Sequence, residues 1–237
     1  MTMLPAVRAN LKERFIFNFR MPPEAMAKYL PATWLAPQEI NGFGVVSYCL
    51  LELHNITIAP LAPTVGLNSI SCAPRFAVID TSGAKPKPAV FVTERQTNSA
   101  FGSWFTTLGF SAPHPYVEAV IEHEENNTNL HVNNPQEAPL FAAQVQRASQ
   151  PNSQLFCSTE DFVAFIAQGI SSYGTSIRGN RLTKLDLHKQ DGHYEPLEVT
   201  RISGPVVEEW NAAGAEFDSA FRTSGGLYEW TYLGLTD

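Results

Sequence analysis

The chain has 237 residues, with 16 Lys plus Arg against 23 Asp plus Glu, for a formal net charge of −7. An acidic chain without a basic run is a poor electrostatic match for nucleic acid or an anionic membrane, so neither is expected as a partner. With 44% hydrophobic and 16% charged residues the composition is globular rather than disordered, and residues 1–237 read as a single domain.

Arg8, Lys12, Glu13 and Arg14 interrupt the stretch from Met1 to Phe15, so no secretory signal is expected there. No apolar run approaches the roughly 18 residues of a membrane-spanning helix. Cys49, Cys72 and Cys157 cannot all pair and form no Cys-x-x-Cys. They read as free thiols in a reducing compartment, and a cytoplasmic protein is expected.

In chain order, Phe15, Phe17 and Phe19 alternate with Arg14, Ile16, Asn18 and Arg20, the period of a two-faced strand. Pro22-Pro23-Glu24 opens a short helix, because Pro suits a first helical turn and Glu its positive end. Gly42 to Leu53 is a long strand on which Tyr48 and Glu52 share a face, a hydrogen-bond donor and an acid for one cavity. Val65 to Asp80 is a second, broken near Pro74, and Arg75 lies in it among apolar residues as a candidate anion-binding group. Ser82 to Pro88 is a loop and Ala89 to Thr93 a strand.

A polar run, Thr93 to Ser99, then separates Ala89–Val92 from Phe101-Gly102-Ser103-Trp104-Phe105. If the strand continues, Glu94, Gln96 and Asn98 face one side and Arg95, Thr97 and Ser99 the other. An inward Arg95 with Thr97 and Ser99 would bind a carboxylate or carbonyl oxygen, since guanidinium is a rigid multi-donor fork. The same pattern fits a solvated loop or a structural ion pair. His114, between two prolines, is a general-base candidate with no visible partner.

Tyr116–Glu124 and Leu130–Val132 flank an Asn-rich turn and read as a hairpin. Ser158 caps a helix in which Phe162, Phe165, Ile166, Ile170 and Tyr173 recur at helical spacing. Leu185–Gln190 and His193–Thr200 flank Asp191-Gly192, a hairpin signal that sets His188 opposite Glu195. A last helix is predicted from Pro205 to Phe221, with Trp210, Phe217 and Phe221 apolar. Strands dominate without regular alternation with helices. The expected class is mostly β (α+β), an antiparallel sheet or barrel with peripheral helices.

No His-x-His or His-x-x-x-His spacing occurs, and Glu122-His123-Glu124-Glu125 splits its ligands between two strand faces, so no metal is expected. Gly42-Phe43-Gly44 lacks the third glycine and the strand–helix context of a dinucleotide site, so no cofactor is expected either.

The segments Glu13–Arg20, Pro22–Met26, Tyr29-Leu30-Pro31, Gly42–Tyr48 and Glu94–Ser99 together resemble the acetoacetate decarboxylase-like superfamily, in an uncharacterised branch. That resemblance implies a cone-like antiparallel barrel with a central cavity and a few outer helices. It also implies a lysine in a Gly-x-Pro-Lys-type segment that forms an imine with a β-keto acid, an adjacent lysine lowering its pKa. Here the stretch after Glu94-Arg95 contains no lysine, and Arg95 cannot replace one because it stays protonated. Among Lys12, Lys28, Lys85, Lys87, Lys184 and Lys189, Lys184 is the one placed to point inward.

The resulting expectation is a small-molecule enzyme without a lysine imine, acting on a small oxo acid or carbonyl compound in the barrel cavity. Arg95 or Arg75 would hold the anion, Glu94 or Glu52 would move a proton, and Tyr48, Thr97, Ser99 and His114 would line the site. The alternatives are a non-catalytic binding barrel for a small ligand and a barrel serving as a homo-oligomer subunit.

Overall fold

The computed structural model describes residues 5–100, 102–103, 112–177 and 181–236, apart from the side chain of Asp191. Phe101, Trp104 and Phe105 of the apolar run after the polar segment therefore lie outside the described residues. The elements in chain order are β1 (Val7–Met21), α1 (Pro23–Met26), β2 (Leu35–Pro37), β3 (Glu39–Ile40), β4 (Phe43–Ile58), β5 (Leu67–Asp80), β6 (Lys87–Val92) and β7 (Gln96–Thr97). There follow β8 (Glu118–His123), β9 (Thr128–Asn133), β10 (Pro139–Arg147), α2 (Thr159–Ile166), β11 (Ser171–Thr175), β12 (Leu182–Asp191), β13 (Tyr194–Ser203), α3 (Pro205–Ala212), β14 (Glu216–Ser224) and β15 (Gly226–Thr236).

The strands form one sheet that closes on itself: β1, β4, β5, β6, β11, β12 and β15 make a ring, because β1 pairs with both β4 and β15. The expected β-rich barrel class is therefore present. One pair departs from the antiparallel expectation: β6 and β11 run parallel. A long excursion through β7–β10 and α2 separates them, and a parallel pair needs a crossover of that kind.

Beyond the ring, β14, β13, β10, β9 and β8 continue the sheet as an arm that covers the outer face of the barrel wall. β1 belongs to both parts. Its first residues, Val7–Asn10, pair with β15, and Glu13–Arg20 pair with β14. Its alternation fills two cores. Phe15, Phe17 and Phe19 join the outer core between barrel wall and arm, where Phe141 lies 5.2 Å from Phe17 and stacks on Tyr48 at 4.1 Å. Ile16 joins the inner core with Cys49, Leu51 and Tyr228. Where β15 and β14 part, α2 lays Phe162 flat on Phe221, 3.8 Å away, and against Tyr194.

Four sequence expectations are corrected. β5 is not broken at Pro74, because its outer neighbour changes there: β7 pairs up to Cys72 and β6 takes over at Arg75. A missing N–H at that changeover costs no ladder bond. β12 and β13 do not form a hairpin: β12 pairs with β11 and β15, and His188 faces Glu229 rather than Glu195. The Asp191-Gly192 turn instead passes the chain from ring to arm, and Gly192 packs so closely on the Ser224 carbonyl that a side chain would collide with it.

The helix expected over Pro205–Phe221 stops at Ala212, and Gly214 at φ +86° turns the chain so that Phe217 and Phe221 lie in β14. α2 likewise ends at Ile166, and Tyr173 belongs to β11.

Phe141 is completely buried and touches aromatic rings of both β1 and β4. Phe141→Ala is expected to cost about 3–5 kcal/mol through lost contact and an unfilled cavity, read as a lower midpoint in urea unfolding.

Candidate functional site

The polar run is strand only at β7, and its expected alternation holds from Glu94 to Thr97 but not at Asn98 and Ser99, which form the turn beyond. β7 pairs with β5, Ser71 against Thr97 and Cys72 against Gln96. Glu94 and Gln96 go to the outer core, where the Tyr48 hydroxyl donates to Gln96 Oε1 at 3.0 Å and Gln96 Nε2 donates to Glu94 Oε2 at 3.2 Å. Burial, with Cys72 next to it, raises the Tyr48 pKa. Arg95 and Thr97 face the barrel interior.

The interior wall carries a polar level. Strand pairing places Asn18, Ser47, Arg75, Val92, Gly174 and Thr183 side by side around the ring. Val92 stands between Arg75 and Gly174, so the strands carrying those two lie roughly 10 Å apart. The Arg95 guanidinium lies against Gly174, and its Nη2 donates to Ser172 Oγ at 3.1 Å. Arg75 Nε is buried with no hydrogen-bond partner among the described residues. Among the described residues no carboxylate pairs with Arg75 or Arg95. Both are surrounded by protein, and each keeps some accessible surface.

Burial pushes the Arg75 pKa down, Arg14 adds to this, and Cys49 opposes it. Burial and then Arg75 lower Arg95 to about 10. Both stay protonated at neutral pH. Arg14, the third interior guanidinium, donates from Nε to Cys49 Sγ at 3.3 Å and from Nη1 to the hydroxyls of Tyr228 at 3.3 Å and Tyr194 at 3.5 Å. The sequence reading passed over Arg14. Its position opposite Phe15 in the alternation was the available signal.

His114 stands close enough to Arg95 to feel its charge. Burial and then Arg95 lower its pKa to about 4, so the imidazole is neutral at pH 7. Nδ1 lies 3.0 Å from the Ala112 carbonyl oxygen, which can only accept, so Nδ1 carries the hydrogen. The lone pair is then on Nε2, available to take a proton. Thr97 Oγ1 shares a 2.6 Å hydrogen bond with Ser69, and Ser99 Oγ accepts from the Gly102 amide at 3.0 Å. Ser99 thus shapes the turn after the polar run.

The expected acids do not join this group. Glu94 lies across the wall with Tyr48. Glu52 accepts from Lys12 at 2.9 Å and lies 3.0 Å from His54 Nε2, toward the outside. Burial alone would raise Glu52, but Lys12 and His54 outweigh it and hold the carboxyl below its usual range. Lys184 faces outward too, its Nζ 5.2 Å from the Tyr173 ring centre. It pairs with Tyr173, which belongs to the outer core, so the strand alternation turns it away from Arg95. Lys189 sits over Tyr194 in a groove of about 650 Å³ beside α2. Among the described residues no three His, Cys, Asp or Glu side chains gather as a metal site, and no helix is long and apolar enough to cross a membrane.

A strand ring around an arginine-lined interior, wrapped by an arm and short helices, defines the class of fold. Solved structures of that class match over nearly the whole chain. Acetoacetate decarboxylase from Legionella pneumophila superposes with a TM-score of 0.69 at 12% identity, covering 99% of this chain and 90% of that one. An acetoacetate decarboxylase-like enzyme from Sphingomonas wittichii RW1 gives 0.64 at 11%, covering 100% and 93%. The enduracididine biosynthesis enzyme MppR complexed with pyruvate gives 0.63 at 10%, covering 100% and 91%. No protein-family model matches the sequence, and no curated protein does. The chain has the acetoacetate decarboxylase-like fold.

Two predictions follow from the site geometry. A methyl group at Gly174 would overlap the end of the Arg95 side chain, which can swing away at little cost. Gly174→Ala should keep the unfolding midpoint within a few degrees while moving the Arg95 guanidinium off Ser172 Oγ, seen in a crystal structure of the variant. The second concerns His114. Its folded pKa of about 4 lies below the ordinary 6.5, so the unfolded chain binds its proton first and stability falls as pH drops through that window. At pH 5 the loss is about 2 kcal/mol. Urea unfolding at pH 7 and pH 5 should show His114→Asn losing that much less than the parent chain.

Proposed function

We propose that the chain is a small-molecule enzyme of the acetoacetate decarboxylase-like fold that holds a small oxo acid in its barrel without a lysine imine, working in the cytoplasm. The observation that carries this reading is the pair Arg75 and Arg95, charged, enclosed and without a carboxylate partner among the described residues. Two desolvated cations are costly to bury alone, and an anionic ligand relieves that cost. Pyruvate in MppR supports an oxo acid as the ligand class.

His114 supplies the proton chemistry in this reading. A neutral imidazole with its lone pair on Nε2 accepts a proton from the carbon beside a ligand carbonyl, and the electron pair moves onto the carbonyl oxygen. Arg95 stabilises the negative charge that develops there. Returning the proton regenerates the ligand, so the elementary step is a reversible enolisation. The carboxylates of Glu52 and Glu94 take no part in it.

The test is solvent exchange. In D2O the chain should exchange the methyl protons of pyruvate or the methylene protons of acetoacetate faster than buffer, followed by proton NMR. His114→Asn should lower that excess rate at least 100-fold. Borohydride added to the same mixtures should leave the intact mass unchanged, with a lysine-dependent decarboxylase trapped in parallel. A borohydride-stable adduct on any lysine would sink the imine-free reading. Binding without exchange would make the chain a ligand-binding barrel.

A further inference from the structure

A monocarboxylate neutralises one guanidinium, and two stand in the interior without a carboxylate among the described residues. Arg75 has a buried Nε with no hydrogen-bond partner among them. Arg95 has one neutral partner there, Ser172 Oγ. The carboxylates nearest in sequence turn the other way: Glu94 toward Gln96 in the outer core, and Asp80 toward the hydroxyls of Tyr173 and Ser82. The remainder of the polar level, Asn18, Ser47 and Thr183, is neutral.

The two guanidiniums reach the interior from separate places on the wall. Arg75 projects from β5, and Arg95 lies against β11, with β6 and its Val92 between them. Each planar fork matches one carboxylate. A single carboxylate engaging one fork leaves the other desolvated and uncompensated, which is the costly arrangement.

We infer that the natural ligand of this interior is a dianion, a short-chain dicarboxylate or oxo dicarboxylate that places one carboxylate on Arg75 and the other on Arg95. The inference rests on the arginine-anchored oxo-acid reading above and narrows it.

The experiment is calorimetric titration of the full chain at fixed ionic strength with matched pairs: succinate against butyrate, glutarate against valerate, and 2-oxoglutarate against 2-oxovalerate. Dicarboxylates should bind at least tenfold more tightly than their partners. Arg75→Gln should lower dicarboxylate affinity at least tenfold and remove that preference. Because Arg75→Gln alters an enclosed position, Arg95→Gln serves as the second variant, with the same loss of preference expected. Equal affinity for both members of every pair in the parent chain overturns the dianion inference and leaves the oxo-acid reading standing. Binding of no acid by a chain with a normal unfolding transition overturns both. A preference that survives both variants also overturns the inference, because the second carboxylate would then be held elsewhere.

Discussion

The constraint on which the rest depends is the period of two in β1. This strand is shared by ring and arm, so both of its faces are buried, and each alternate residue is committed to one core or the other. Phe15, Phe17 and Phe19 attach the arm to the barrel. Arg14, Ile16 and Asn18 face the interior. A slip of one residue would put three phenylalanines among the guanidiniums and send Arg14 into an aromatic core. Few strands are so strongly specified, and the strands that pair with β1 inherit their register from it.

The interior is electrostatically unusual for a folded chain of net charge −7. Its surface ion pairs are ordinary: Lys12 with Glu52, Arg8 with Glu229 at 2.5 Å, and Arg20 with Glu216. Such pairs contribute little each. Inside the ring Arg75 and Arg95 repel one another, and neither pairs with a carboxylate among the described residues. Folding tolerates this because two apolar cores hold the wall in place, and because guanidinium is more weakly hydrated than ammonium and keeps its proton even when burial lowers its pKa. Stability in one region thus supports an unfavourable charge arrangement in another, a common feature of sites built to meet a ligand.

The sequence made the two-sided nature of β1 legible, along with the division of Glu94–Thr97 into two rows and the β-rich class, because each depends only on local alternation. What it could not carry was pairing between distant strands. Asp191-Gly192 has the chemistry of a hairpin turn, yet β15 had already taken the free edge of β12, and no local signal reports such competition. Phe217 and Phe221 fit a helix spacing and a strand spacing alike. Gly214 and the partnership with β1 decide between them. The same limit explains the candidate site. Arg75 and Arg95 are brought together by β5, β6 and β11, whereas Glu52 and Tyr48, on one strand face as expected, reach different surroundings because the arm covers one and leaves the other near solvent. By sequence Lys184 could point inward, and pairing with Tyr173 turns it outward.

The identity of the cation inside the barrel decides what chemistry this fold can perform. A buried amine surrounded by positive charge loses its proton and becomes a nucleophile. A buried guanidinium in the same field does not: Arg95, lowered to about 10, is still charged at pH 7. It can hold an anion, polarise a carbonyl and stabilise an enolate, but it cannot form an imine. One architecture therefore supports covalent or purely electrostatic catalysis according to a few side chains on its inner wall, and the backbone likeness to decarboxylases leaves that choice open. In this chain Gly174 gives the Arg95 guanidinium room against the wall, and the Ala112 carbonyl fixes the His114 tautomer. Both devices position groups whose chemistry is non-covalent, which is the physical ground for proposing the electrostatic alternative for this barrel.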